Sequence, residues 1–241
     1  MISSNRPKGY KRYLPFAIIA VVLGVVVIGA ALLLRPSDEG RRARLGEPLS
    51  TGNPPPVVPR APHPGAQPPH TRGGGPDAAA TLEEFGDFQC PPCGRLHTEL
   101  KKIEADYGTR LRVVFRHLPL FAMHKHALAA SYAAEAAARQ NRFWEMHDLL
   151  YENQEAWNAA TDVGPLFTNY ARRLGLDVER FTRDMNSPEV SARVRADVLR
   201  ADSLGVDGTP TLFLNNQQLS GQSTVASIRA AIDAALAQKS R

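Results

Sequence analysis

Ten of the chain's 19 prolines fall between Pro48 and Pro76, in a stretch that closes on Gly73-Gly74-Gly75-Pro76. Proline fixes its own φ, donates no backbone hydrogen bond and pushes the preceding residue out of the helical region. A segment this dense in proline stays extended and solvated. We expect residues 35–78 to form a semi-rigid Pro/Gly-rich linker.

Upstream of the linker, Leu14 to Leu34 is uncharged and apolar apart from Pro15 and two glycines. About 20 such residues span a bilayer as a helix. The run is longer than the apolar core of a signal peptide, and Ile28-Gly29-Ala30 matches a cleavage site only weakly, so an uncleaved transmembrane helix over 14–34 is expected. Charge does not orient it, because Arg6, Lys8, Lys11 and Arg12 before the run are balanced by Arg35, Arg41, Arg42 and Arg44 after it. A long domain after a first span often translocates regardless of nearby charge. That gives a cytoplasmic N-terminus over 1–13 and a single-pass protein of the cell membrane, with an extracytoplasmic C-terminal domain on the periplasmic or outer face.

Residues 79–241 carry the periodicities of a folded domain. Thr81 to Phe88 mixes β-formers and aromatics and reads as a strand. Cys93, Leu96, Leu100, Ile103 and Tyr107 recur at spacings of three and four, one face of a helix that Gly108 stops. Leu111 to Phe115 reads as a buried strand, and about 120–204 as a block of helices punctuated at Leu174-Gly175 and Ser187-Pro188. Thr211 to Leu214 returns to strand, Asn215-Asn216 turns, a short strand comes next near Gln218 to Ser220, and a last amphipathic helix runs from about Thr224. This order suggests an α/β domain with a helical insertion. The net charge of +5 is spread along the chain without a dense basic block, which argues against nucleic-acid binding.

Only two cysteines exist, Cys90 and Cys93, at the predicted strand-to-helix turn. Residues three apart share a helix face, close enough for a disulfide that opens and closes locally. A cystine closing so short a loop constrains the unfolded chain little, so redox work explains the pair better than stabilisation does. At a helix N-terminus the unpaired amides and the macrodipole favour a thiolate. Cys90 is thus assigned as the attacking thiol and Cys93, one turn inward, as the resolving thiol. Pro91 suits the first helical position, where an N–H has no partner. Pro92 removes a second amide that could have donated to the Cys90 sulfur, so both prolines tune the thiolate, Pro92 by weakening its support. Two other readings compete. Half a zinc site would draw two more ligands from His97, His117, His124, His126 or His147, and His124-Lys125-His126 reads better as a polar helix start. Two inert buried thiols are the other. No metal or other cofactor is expected.

The run Glu83-Glu84-Phe85-Gly86-Asp87-Phe88-Gln89-Cys90-Pro91-Pro92-Cys93-Gly94-Arg95-Leu96-His97 resembles the DsbA-like branch of the thioredoxin superfamily. Val206-Asp207-Gly208-Thr209-Pro210-Thr211-Leu212-Phe213-Leu214-Asn215 resembles that family's cis-proline loop and following strand, and Phe143-Trp144-Glu145-Met146-His147 a segment of its inserted helical domain. The likeness covers about Ala79 to Leu236. It implies a thioredoxin-like fold with an inserted helical subdomain, a cis bond before Pro210 beside the active-site disulfide, and backbone groups at Thr209 for an extended substrate. Glu84 matches the family's buried acidic residue near the inner cysteine, a candidate for proton transfer, with Glu83 and Asp87 as alternatives on an unfixed strand facing. Arg95 and His97 are expected on the exposed rim.

The implied activity is thiol–disulfide exchange with exported cysteine-containing proteins, foremost as a monomeric dithiol oxidase reoxidised by a membrane redox partner. Pro92 stands where the strongest oxidases have His, and Thr209 is shared with reductase and isomerase branches, so a membrane-tethered reductase or isomerase is the alternative. A non-catalytic thioredoxin-like binding module is the third reading.

Overall fold

The computed structural model describes residues 63–219 and 224–239. The expected N-terminal segment over 1–13, the transmembrane helix over 14–34 and the first part of the linker lie outside the described residues. Among the described residues no helix is long and apolar enough to cross a membrane.

Five strands form one sheet: β1 (His70–Gly73), β2 (Ala80–Gly86), β3 (Leu111–His117), β4 (Thr211–Leu214) and β5 (Gln217–Gln218), in the order β1-β3-β2-β4-β5. β2 and β3 run parallel, with Glu84 opposite Phe115, and the other pairings are antiparallel. The parallel pair requires a crossover, supplied by helix α1 (Pro91–Tyr107). Asn215 and Asn216 take positive φ values of 48° and 67°, as a tight primed hairpin turn between β4 and β5 demands.

From His63 on, the segment expected to be linker is built into the domain. β1 lies inside the segment expected to be linker, and its backbone pairs antiparallel with β3 from His70–Phe115 to Gly73–Arg112. Pro69 can precede it because β1 is an edge strand, where one row of amides needs no ladder partner. Side chains anchor the same stretch from the far side: Arg193 donates to the Gln67 and Pro68 carbonyls, and Asp197 accepts from the Ala66 amide at 2.8 Å. β2 also stops at Gly86, two residues short of the expected end.

The period of two along β2 sorts its side chains. Leu82 packs with Leu96, Leu100 and Ile103 of α1, Leu111 and Val113 of β3, and Ile228 and Ile232 of the last helix (Val225–Lys239). Phe85 points to the opposite face, against Leu118, Ala201, Val206 and Phe213. The insertion comprises α2 (Ala127–Ala138), α3 (Phe143–Glu152), α4 (Gln154–Asn158), α5 (Gly164–Arg173), α6 (Val178–Met185) and α7 (Pro188–Ser203). Ala130, Ala133, Ala134 and Ala137 of α2 are all fully buried, so alanine here admits close approach of the neighbouring helices. The insertion's core is continuous with Phe88, Cys90, Cys93 and Phe115, and it therefore roofs the cysteine turn.

Candidate active site

Cys90 is the N-cap of α1, with extended φ/ψ of −71° and 117°, and Pro91 and Pro92 fill the first two helical positions. The N-terminal amide of the helix that still faces the Cys90 sulfur is that of Cys93. Both thiols are free and buried, Cys90 at 5% exposure and Cys93 at none. Cys90 thus keeps less solvent contact than its expected place at the helix mouth implies, and Cys93 lies one turn further in.

The two thiols are pulled apart electrostatically. A hydrogen bond from the Cys93 thiol, aided by the Cys93 amide against the cost of burial, lowers the Cys90 thiol to about 6. Burial, the hydrogen bond to Cys90 and the neighbouring Glu84 push the Cys93 thiol up. A low outer and a high inner thiol is the arrangement in which one sulfur attacks and the other waits protonated.

The peptide bond between Thr209 and Pro210 is cis, and the Cys90 thiol donates to the Thr209 carbonyl at 3.3 Å. The loop between the helical block and β4 thereby sits against the outer cysteine, 119 residues away in sequence. Thr209 Oγ1 is buried without a hydrogen-bond partner.

The three acidic candidates have different surroundings. Glu84 shares the Leu82 face of β2, is 3% exposed, and burial raises its carboxyl to about 8 although Arg72 pulls the other way. Its Oε1 has no hydrogen-bond partner. Glu83 lies on the other face, in ion pairs with Arg116 and Arg200 at 2.8 Å, which hold its carboxyl below the ordinary value despite burial. Asp87 braces the turn: its carboxyl accepts from the amides of Gln89 and Leu120 and from His124 Nδ1, at 2.7, 2.9 and 2.7 Å. Of the three, Glu84 alone is buried beside Cys93 without a charged partner in contact.

Other supports were not legible in the sequence. Gln154 of α4 donates through Nε2 to the carbonyls of Phe88 and Cys90, at 2.7 and 3.0 Å, clamping the cysteine turn from the insertion. Gly94 makes room for it, since a Cβ there would meet Gln154 Oε1 at 2.7 Å. Gln89 Oε1 accepts from the His126 amide at 2.6 Å. Arg95 is exposed as expected, but His97 is 3% exposed and stacked on Tyr151, not on the rim. It lies four residues beyond Cys93, hence on the same buried helix face.

Three of the five histidines considered for zinc have other partners, and His97 and His147 lie with Asp148 away from the cysteines. His117 Nε2 pairs with Glu135, His124 with Asp87, and His126 Nε2 with the Ala160 carbonyl. Among the described residues no cluster with metal-ligand spacing includes either cysteine.

Known proteins share this outline. The chain is 40% identical over 168 residues to the Na(+)/H(+) antiporter NhaA 1 of Salinispora arenicola and 38% over 158 residues to NhaA of Herminiimonas arsenicoxydans, covering 70% and 66% of this chain. It spans only about a quarter of the length of these curated relatives, 25% and 24%. Among solved structures it resembles a thioredoxin-like oxidoreductase from Silicibacter pomeroyi, at 28% identity and a TM-score of 0.59 over 71% of this chain and 92% of that one. BdbD of Bacillus subtilis (22% identity, TM-score 0.62, 72% and 98% of the two chains) and α-DsbA1 of Wolbachia pipientis (20%, 0.63, 71% and 92%) share the fold. These likenesses agree with the thioredoxin-like fold that the motifs imply. A family model described as thioredoxin matches residues 67–234, nearly the whole described domain, and the chain belongs to the thioredoxin family.

Proposed function

We propose that the chain is a thiol–disulfide oxidoreductase that exchanges disulfides with cysteine-containing proteins through Cys90 and Cys93. The observation that carries this reading is the placement of Cys90 as N-cap and Cys93 one turn inward on the same helix, with Cys90 held against the cis-Pro210 loop; the lowered Cys90 thiol and raised Cys93 thiol agree with it. Cys90 attacks or is attacked, and Cys93 resolves the mixed disulfide. Thr209, at the cis-Pro210 loop against Cys90, offers backbone groups to an extended substrate strand.

The lowered Cys90 thiol favours the reduced form and hence the oxidase direction. Pro92 moderates this by withholding an amide. The tether is part of the same proposal: Leu14 to Leu34 anchors the domain and the linker holds it off the membrane, on the extracytoplasmic side. Support comes from the apolar run and from relatives whose matched quarter belongs to proteins named as antiporters, which work in membranes. A membrane redox partner would restore the oxidised form, and the domain would work as a monomer.

Trapping tests the reading. With Cys93→Ser, full-length protein incubated with a reduced, thiol-bearing model protein should accumulate a mixed disulfide that Cys90→Ser abolishes. Binding of the model protein that is unchanged in Cys90→Ser, with no covalent adduct in either variant, would favour the binding-module reading instead.

A further inference from the structure

Alternation along β3 puts Leu111 and Val113 on the face packed against α1, and so puts Arg112, Val114 and Arg116 on the other. In the parallel register Thr81 of β2 lies beside Arg112, and Glu83 beside Val114. With Arg200 of α7 and the Asn215-Asn216 turn, these residues line a cleft of about 300 Å³. That volume is at the lower end of small-molecule sites. The cleft is far from the thiols along the strand: Thr81 begins the run of β2 whose other end leads into Cys90.

The charges lining the cleft do not balance. Three guanidiniums, those of Arg112, Arg116 and Arg200, face one carboxylate, that of Glu83. Glu83 is already shared: Arg116 Nε lies 2.8 Å from one of its oxygens and Arg200 Nη2 2.8 Å from the other. Asp197, behind the cleft, pairs with Arg116 Nη1 at 3.0 Å. Two carboxylates thus answer Arg116 and Arg200, and none answers Arg112. Among the described residues the half-buried Arg112 side chain has no hydrogen bond, ion pair or ring contact.

Half-burial strips part of a guanidinium's hydration, and here no protein oxygen replaces it. The planar fork presents its N–H donors in the geometry that matches the oxygens of a phosphate group. The Thr81 hydroxyl and the Asn216 amide line the same cleft and are likewise without side-chain hydrogen bonds among the described residues. They add neutral donors beside the cation, as an anion site requires.

We propose that this cleft binds a phosphate group, with Arg112 as its charged ligand and Thr81 and Asn216 as further donors. The proposal does not rest on the thiol-exchange reading. Arg200, at the edge of the cleft, also donates to the His63 carbonyl at 3.2 Å, so the cleft adjoins the first described residue after the linker. Under the tethered reading a lipid headgroup is therefore a source of the phosphate, as well as the free ion.

The test is isothermal titration of the full-length chain in detergent, at constant ionic strength, with two probes. One is inorganic phosphate and the other glycerophosphoglycerol, the phosphodiester of an anionic lipid headgroup. Saturable one-site binding is expected, weakened about tenfold or more by Arg112→Gln, as the loss of a charge-assisted hydrogen bond implies. Arg112→Lys should keep part of the affinity, since it keeps the charge. Arg112 has no partner to lose, so the Gln variant should unfold in urea as wild type does; Thr81→Val, expected to weaken binding in the same sense, serves if it does not. Tighter binding of the diester assigns the site to a headgroup, and tighter binding of inorganic phosphate assigns it to the free ion. Cys90 alkylation should be the same in all variants. No saturable binding of either probe would overturn the proposal. So would affinity that Arg112→Gln and Thr81→Val both retain, or equal competition by chloride, the mark of screening without a site.

Discussion

Replacing Glu84 by Gln isolates the electrostatic cost built into the site. Burial lifts the Glu84 carboxyl from 4.5 to about 8, so the fold favours its proton. The associated stability is fully present below the unfolded value of 4.5 and is lost as pH rises through about 8. Converted at about 1.4 kcal/mol per tenfold change in proton affinity, the lift amounts to about 5 kcal/mol across that window, an upper figure for a group that can relax toward solvent. Gln cannot ionise. The stability difference between Glu84→Gln and wild type should therefore grow by several kcal/mol between about pH 4.5 and 8.5, in favour of the variant. Any constant offset from the amide's own hydrogen bonding leaves this slope untouched. Urea unfolding of the reduced proteins, followed by circular dichroism at a series of pH values, reads it directly. A difference that stays flat with pH would refute the reasoning, because it would mean that Glu84 is ionised at neutral pH in the folded protein.

Three further outcomes are expected from the same geometry. Alkylation of the reduced protein should be confined to Cys90 and half-maximal near pH 6, and equal labelling of Cys93 in mass spectra would contradict the assigned order. Gln154→Ala leaves the Phe88 and Cys90 carbonyls without this donor and should destabilise the domain by about 1–3 kcal/mol in urea, while exposing Cys90 to faster alkylation. Gly86→Ala would place a Cβ 2.6 Å from Phe115 Cε2 and 2.9 Å from Tyr151 Oη, so overpacking should cost about 1–3 kcal/mol by the same assay; unchanged stability would show that Tyr151 is free to retreat.

The order of strands and helices was legible because each element repeats its apolar residues at its own period: Leu96, Leu100, Ile103 and Tyr107 every three or four on α1, Leu111, Val113 and Phe115 every two on β3. β1 escaped because His70-Thr71-Arg72-Gly73 is polar, short and set among prolines. Its pairing with β3 makes it a strand, with Trp144 donating to the Thr71 carbonyl and Arg193 and Asp197 holding the residues before it. In the site, the pair Cys90 and Cys93 at a strand-to-helix turn and the cis bond before Pro210 were accessible from motif and resemblance, which left Glu84, Glu83 and Asp87 as alternatives. The choice of Glu84 over Glu83 waited on strand facing, which a mixed run such as Leu82-Glu83-Glu84-Phe85 does not reveal. The supports lay beyond local pattern. Gln154 meets the cysteine turn across 64 residues and His124 meets Asp87 across 37. His97 is the opposite case, because its spacing of four from Cys93 already places it on the buried face and away from the rim.

The central claim is a reversible two-electron couple, and the equilibrium reduction potential of Cys90 and Cys93 in glutathione buffers tests it most directly. A Cys90 thiol near 6 lies between those of thioredoxin, near 7, and DsbA, near 3.5, so the account predicts one cooperative couple between about −270 and −120 mV. Two thiols that form only separate glutathione adducts, with no internal disulfide at any buffer ratio, would contradict it.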